Sequence, residues 1–196
     1  MNLPNKLTIL RIILTFVLIV IFSLDWKYSH TLALFLFIFA AVTDYYDGKI
    51  AREKKIITNF GKFWDPLADK ILVSSVFVFF VSMKNVPVKP WMVVLIISRE
   101  FLVTGLRLIA ANENVVISAD SLGKLKTVFQ LMAIISILTL LSLEEVSAKS
   151  TIIGKIHFIE FVKILSVFFT WGMVFLTIIS GASIILKNKN LVFSNM

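Results

Sequence analysis

Six long apolar stretches dominate the sequence and restrict the folds open to it. They cover residues 6–24, 29–48, 67–84, 90–111, 123–143 and 158–186, and polar, charged or proline-containing segments separate them. A helix of about 20 residues spans a bilayer, and a helix pairs its own backbone groups where hydrocarbon offers no partner. We therefore expect an all-α integral membrane protein with six transmembrane helices, a short amphipathic N-terminal entry and a single domain over residues 1–196.

The composition argues against several kinds of site and partner. Apolar and aromatic residues make up 58% of the 196 residues, against roughly 45–50% in soluble domains. The sequence has no cysteine and only two histidines, so disulfides, iron–sulfur clusters and histidine-rich metal centres are not expected. The net charge of +8 comes from basic residues that flank apolar stretches. This arrangement favours an anionic membrane surface over nucleic acid as the partner.

The distribution of basic residues predicts an orientation in the membrane. If six helices alternate in direction, fourteen of the 20 Lys and Arg residues fall on the side that carries both chain ends and the 49–70 connection. Cytoplasmic loops of membrane proteins are enriched in Lys and Arg. We therefore expect a multi-pass protein of the cell membrane with both termini in the cytoplasm. A homodimer is one assembly open to a bundle with exposed apolar faces.

Four aspartates lie at the ends of the second and third apolar stretches: Asp44, Asp47, Asp65 and Asp69. Spacings of three and four residues put each pair on one face of a helix. An antiparallel hairpin of these two helices through residues 48–61 brings both pairs together at the cytoplasmic end. An all-oxygen set of this kind suits Mg²⁺ or Mn²⁺, and we expect two ions.

Simpler interpretations exist for these carboxylates. Asp65 precedes Pro66, an arrangement typical of a helix N-terminus, so it would be a cap. Capping does not explain Asp44 and Asp47, which follow an apolar run on the same helix and are costly there unless paired or metal-bound. A cation transporter would also use aspartates, but it predicts carboxylates near the middle of the membrane and a broken helix.

The spacing around the aspartates carries a more specific signal. It reads Asp44-x2-Asp47-Gly48-x2-Ala51-Arg52-x8-Gly61-x3-Asp65-x3-Asp69. This pattern resembles the signature of the CDP-alcohol phosphotransferase family. The resemblance implies a six-helix membrane enzyme that binds two metal ions through the four aspartates. In the implied reaction, the hydroxyl of an acceptor alcohol displaces CMP from a CDP-activated donor.

Further segments resemble one bacterial branch of that family, whose members transfer a phosphatidyl group to glycerol 3-phosphate. These segments are residues 2–8, 59–70, 98–107 and 122–127. The resemblance implies CDP-diacylglycerol as donor, its acyl chains in a lateral groove open to the bilayer, and glycerol 3-phosphate as acceptor. Serine, inositol phosphate or phosphatidylglycerol are alternative acceptors. Residues 131–196 carry no motif and are expected to face lipid.

The resemblance also implies individual roles for the aspartates. Asp44 and Asp65 would bridge both metal ions, Asp47 would complete the first, and Asp69 would contact the second. Asp69 would then be the general base, because the hydroxyl of the acceptor is a poor nucleophile until its proton is accepted.

The same resemblance implies a donor site. Arg52 would hold the diphosphate, and glycines would let the nucleotide approach the backbone closely. Helix capping is the alternative role for the two most N-terminal of these residues, and headgroup binding for Arg52. The implied donor-binding residues are Asn5, Thr8, Gly48, Arg52, Thr58 and Gly61.

Charged residues in the fourth and fifth apolar segments predict an acceptor pocket. Ionisable groups in a membrane helix are usually functional, and Arg107 with Lys124 and Lys126 would bind the phosphate of the acceptor, with Arg99 nearby. If these cations only extend to the membrane interface, they give no preference for an acceptor that carries a phosphate. Glu100 would either serve the site or form a structural ion pair between helices.

Overall fold

A computed structural model describes residues 3–24, 26–53, 59–113, 115, 117, 121–147 and 153–189. This part of the chain contains six α-helices and no β-strand, which confirms the all-α prediction. The helices are α1 Leu3–Ser23, α2 Ser29–Glu53, α3 Asn59–Ser82, α4 Pro90–Asn112, α5 Ser121–Ser147 and α6 Ile153–Lys187.

The helices extend beyond the apolar stretches, chiefly into the 48–61 segment that was expected to turn. α2 continues to Glu53 and α3 begins at Asn59, so Gly48 and Gly61 lie within helices. Asp65 therefore lies inside α3 and is not its N-terminal cap. The expected amphipathic entry forms the first turns of α1 itself, because α1 is continuous from Leu3.

Three helices of the described chain are long and apolar enough to cross a membrane. The spans are Asn5–Ser23, Ser121–Val146 and Ile156–Lys187, and Ser29–Asp44 is a shorter apolar helix. α3 and α4, by contrast, carry most of the charged side chains of the candidate site. Charged residues lower the apolar character of a span, and they are rare in membrane helices outside functional sites.

The bundle packs through small residues and large aromatic ones. Ala33, Ala40, Ala68 and Ala133 are fully buried, which lets helix backbones approach closely where the hydrophobic effect gives little drive for association in lipid. α1 packs against both α2 and α3, α5 against α2 and α6, and α4 against α3 and α6. α3 and α5 also pack against each other, so each of them contacts three helices, and they are the central helices of the bundle.

α5 and α6 meet along an aromatic contact that requires a glycine. The ring of Phe129 lies against Gly172, where a β-carbon would come within 2.5 Å of a ring carbon. The same ring packs edge-on against Phe169, with centroids 5.6 Å apart. Aromatic pairs in this geometry stabilise packing beyond the effect of burial alone. Because the ring leaves no room for a β-carbon at residue 172, Gly172 allows the close spacing of α5 and α6.

A carboxylate from α5 binds the N-terminus of α2. The carboxylate of Glu145 accepts hydrogen bonds from the backbone N–H groups of His30, at 2.8 Å, and Thr31, at 3.0 Å. The hydroxyl of Thr31 donates to it at 2.8 Å, and the Nδ1 atom of His30 lies 2.5 Å away. N–H groups at a helix start have no partner within the helix, so Glu145 caps α2 from another helix.

We predict that Glu145→Ala lowers the stability of the folded protein. The change leaves helix N–H groups without an acceptor, at a cost of about 1–3 kcal/mol. Thermal unfolding in detergent should show a lower midpoint. Glu144→Ala is the matched control, because Glu144 is exposed on the same turn. Equal midpoints for the two variants would contradict the capping role.

Candidate active site

α1 holds two of the four predicted aspartates in place. The Nη1 atom of Arg11 lies 2.6 Å from Oδ1 of Asp44 on α2, and the hydroxyl of Thr8 donates to Oδ1 of Asp65 on α3. Thr8 is therefore a partner of a carboxylate rather than a helix cap. The two carboxylates come from different helices and meet the same face of α1.

Arg11 is a site residue that the sequence interpretation missed. Its side chain is only 1% exposed, whereas that of Asp44 is 45% exposed. A guanidinium group so deeply buried requires a carboxylate partner. The available signal was an arginine within the apolar stretch 6–24, at a depth where charged residues are rare.

For most of the other residues predicted to bind the CDP-activated donor, the structure gives only the backbone position or does not describe the residue. Asp47, Gly48 and Arg52 lie in α2, and Gly61 lies in α3, but the structure does not describe the side chains of this segment. Thr58 lies outside the described residues. Asn5 lies in the first turn of α1 and is half-buried.

The donor chemistry of the described aspartates fits a hard divalent cation. Asp44, Asp65 and Asp69 offer carboxylate oxygens, which Mg²⁺ and Mn²⁺ prefer over nitrogen or sulfur. Among the described side chains, no three histidine, cysteine, aspartate or glutamate groups lie close enough together to hold a metal ion. Asp47, the fourth predicted ligand, is not among those side chains.

A cavity of about 300 Å³ opens beside Asp69 between α3, α4, α5 and α6. All four cations of the predicted acceptor pocket line it, which brings together residues far apart in sequence. Its charged lining residues are Asp69, Lys70, Arg99, Glu100, Arg107, Lys124 and Lys126. Five cations and two carboxylates thus surround one cavity, and an anion is the ligand this balance favours.

Glu100 organises two of these cations. Its Oε1 atom accepts a hydrogen bond from the Nζ atom of Lys126 and lies 3.2 Å from Nη1 of Arg99. Lys126 is only 3% exposed, so Glu100 supplies the counter-charge that a buried ammonium needs. This contact is an ion pair between α4 and α5, and it lies in the cavity wall.

Lys70 lines the cavity and is a second site residue that the sequence interpretation did not select. Its Nζ atom donates to the hydroxyl of Thr104, and that hydroxyl donates to the backbone carbonyl of Glu100 at 2.7 Å. The chain of contacts links α3 to α4 directly beside Asp69. Its position next to Asp69 in sequence was the only available signal.

Asp69 lies where the two parts of the site meet. Its side chain is exposed and lines the cationic cavity. Its charge interacts with that of Asp44 on one side and with those of Glu100 and Lys126 on the other. Asp69 is therefore placed between the carboxylate pair at α1 and the cationic cavity.

An apolar groove of about 260 Å³ adjoins this cavity between α3 and α4. Lys70 and Glu100 lie at its border with the charged site, and its other walls are mostly apolar. The apolar lining residues are Leu67, Ile71, Ile97 and Phe101. A charged cavity and an apolar groove thus share one rim.

One part of the sequence interpretation is wrong. Residues 131–196 were expected only to face lipid, yet Ile184 of α6 lines the cationic cavity. Gly181, also in α6, lies beside the side chain of Arg99, because a β-carbon built on it would be 3.2 Å from Cγ of Arg99. Gly181 and Ile184 belong to an apolar run of α6, and that pattern gave no signal for a place beside the cavity.

Comparison with known proteins places the chain among lipid-synthesising enzymes. A family model described as CDP-alcohol phosphatidyltransferase matches residues 1–187. A protein of Bacillus subtilis (strain 168), named CDP-diacylglycerol–glycerol-3-phosphate 3-phosphatidyltransferase, is 45% identical over 149 residues, or 70% of this chain and 76% of that protein. A protein of Rickettsia typhi with the same name is 40% identical over 182 residues, or 93% of this chain and 94% of its own length. The chain therefore belongs to the CDP-alcohol phosphatidyltransferase family.

Proposed function

We propose that this protein transfers a phosphatidyl group from CDP-diacylglycerol to sn-glycerol 3-phosphate, giving phosphatidylglycerol phosphate and CMP. The observation that carries the proposal is the cationic cavity beside Asp69. A carboxylate able to accept a proton lies at the rim of a cavity suited to a phosphate group. The names of the Bacillus and Rickettsia relatives support the same reaction.

In this proposal the phosphate of the acceptor binds against Arg107, Lys124 and Lys126, with the Arg99 guanidinium nearby. The free hydroxyl of the acceptor then points towards Asp69, which accepts the hydroxyl proton. The hydroxyl oxygen forms a bond to the phosphorus atom that carries the diacylglycerol. The bond from that phosphorus to the bridging oxygen breaks, and CMP leaves. Forming one bond while breaking the other requires no covalent enzyme intermediate.

Proteins of this family generally depend on divalent metal ions. We propose that Asp44, Asp47, Asp65 and Asp69 hold two such ions, Mg²⁺ or Mn²⁺. When bound, these ions supply positive charge that stabilises the diphosphate and the leaving CMP. Thr8 and Arg11 orient Asp65 and Asp44 from α1 through the contacts described above.

We propose that the donor lies with its diphosphate at Arg52 and its nucleotide near Asn5, Gly48, Thr58 and Gly61. The apolar groove between α3 and α4 accommodates an acyl chain. This arrangement keeps the lipid in the bilayer while its head group reaches the charged site. It also explains why a charged cavity and an apolar groove share a border.

We further propose that residues 1–196 form one domain whose six helices all cross the cell membrane. Both termini and the active site then lie at the cytoplasmic face, where CDP-activated lipid and soluble glycerol 3-phosphate meet. The distribution of Lys and Arg supports this orientation. A homodimer is compatible with the exposed apolar faces of the bundle.

CMP release by the purified protein in detergent tests the reaction. With CDP-diacylglycerol, Mg²⁺ and glycerol 3-phosphate we expect CMP release that a chelator abolishes. Serine, inositol and inositol phosphate serve as parallel acceptors and should give little product, because the cavity selects an acceptor with a phosphate of suitable reach. Preferred use of another acceptor would contradict the assignment of glycerol 3-phosphate. Absence of CMP release with every acceptor would contradict the reaction class.

Replacement of Asp69 by Asn should abolish turnover while the protein still binds the donor. An amide does not accept the hydroxyl proton, and loss of a general base typically lowers the rate by about 10²–10⁴-fold. CMP release measures turnover, and a fluorescent CDP-diacylglycerol analogue measures binding. Glu160→Gln is the control, because Glu160 is an exposed α6 carboxylate outside the cavity. Full activity of Asp69→Asn would remove Asp69 as the base.

Replacement of Arg107 by Ala should raise the KM for glycerol 3-phosphate far more than the KM for CDP-diacylglycerol. A charge-assisted contact with phosphate is worth about 1.5–3 kcal/mol, which corresponds to roughly 10–150-fold in KM. Steady-state CMP release with each substrate varied in turn gives both constants. Lys163→Ala provides the control, since Lys163 is an exposed cation of α6 that does not line the cavity. Equal changes in both constants would leave Arg107 as a structural residue.

A further inference from the structure

The side chain of Arg99 runs past a glycine of α6 on its way to the cavity. A β-carbon built on Gly181 would lie 3.2 Å from Cγ of Arg99, closer than ordinary van der Waals contact. A β-carbon on Gly123 of α5 would lie 3.7 Å from its Nη2 atom. The stem and the head of Arg99 thus pass beside glycines from two different helices.

The rest of the Arg99 side chain is also tightly enclosed. It is 11% exposed, and Nη1 lies 3.2 Å from Oε1 of Glu100. Its Nε atom is buried without a hydrogen-bond partner among the described residues. A side chain enclosed on several sides cannot adjust its stem without moving its guanidinium group.

An apolar cluster fixes the distance between α4 and this part of α6. Val103 and Leu106 of α4 pack against Ile184 of α6, and all three are buried. Ile184 lies about one turn after Gly181 and also lines the cavity. Neighbouring packing therefore holds the backbone at Gly181 near Arg99, and this part of α6 does not move away freely.

We propose that Gly181 is a positioning residue for acceptor binding. The missing side chain at this position leaves the space in which the Arg99 stem lies, and this directs the guanidinium to the phosphate of the acceptor. Gly181 does not contact the substrate, and it acts only through Arg99. The inference rests on the proposed function, because it assigns the anion in the cavity to glycerol 3-phosphate.

The test is Gly181→Ala with the KM for each substrate measured by CMP release. We expect the KM for glycerol 3-phosphate to rise about fivefold to tenfold, since a displaced guanidinium weakens a charge-assisted contact. The KM for CDP-diacylglycerol should change little. The helix itself should not weaken, because alanine is a better helix former than glycine.

Gly105→Ala is the matched control. Gly105 lies within α4, and a β-carbon there would meet nothing within 4 Å. Both substitutions exchange a helical glycine for alanine, so they share the propensity gain and differ in the contact with Arg99. We expect Gly105→Ala to keep wild-type values of both constants.

A double-mutant cycle separates positioning from general damage. Arg99→Ala removes the Cγ atom that a β-carbon at residue 181 would meet, so adding Gly181→Ala to Arg99→Ala should change the KM for glycerol 3-phosphate no further. Binding is also measured without turnover, as the rise in unfolding midpoint that glycerol 3-phosphate produces. Gly181→Ala should reduce this rise, and the double variant should match Arg99→Ala.

The outcomes distinguish the inference from the function on which it rests. If the unaltered protein releases CMP with glycerol 3-phosphate, but Gly181→Ala and Gly105→Ala have the same KM, the positioning role is wrong. An undiminished effect of Gly181→Ala in the Arg99→Ala background would also overturn it. If the unaltered protein releases no CMP with glycerol 3-phosphate, the proposed function itself fails and the anion assigned to the cavity fails with it.

Discussion

The pairing of charges inside an apolar bundle determines where the helices of this protein meet. Arg11 is buried on α1 and contacts Asp44 on α2, and Lys126 is buried on α5 and contacts Glu100 on α4. A buried charge without a partner is costly enough to exclude most packings. Each pair therefore fixes two helices to each other at the level of the site. The carboxylates and cations proposed for catalysis are also structural contacts between helices.

Much of the fold and part of the site could be predicted from the sequence, for physical reasons that differ between the two. Backbone N–H and C=O groups must be paired with each other inside a bilayer, so long apolar stretches predict helices whatever the individual apolar residues are. The predicted helix ends were less accurate, because segments 49–53 and 59–66, which contain polar and charged residues, continue α2 and begin α3 outside the apolar stretches. The spacing of Asp65 and Asp69 predicted a shared helical face, since that property is local.

The unpredicted residues act across helices. The role of Arg11 depends on the packing of α1 against both α2 and α3, which the sequence of α1 alone does not show. Lys70 contacts Thr104 and Gly181 lies beside Arg99, and in each case the partner is on another helix. Contacts of this kind depend on how helices rotate and pack, which one apolar pattern does not specify. Glycine is the hardest case, because its contribution is the absence of atoms.

The cationic cavity and the apolar groove share a border, so the site offers a charged and an apolar environment side by side. Lys70 and Glu100 line both the charged cavity and the groove between α3 and α4. One substrate of the proposed reaction is a lipid and the other is a small anion, and neither environment alone suits both. α4 contributes to both surfaces: Phe101 lies in the groove, while Arg99 and Arg107 face the cavity. A single helix can do this because its side chains point in different directions around its axis. In the proposed reaction, the mixed sequence of α4 is therefore what brings a lipid and a water-soluble anion to the same carboxylate.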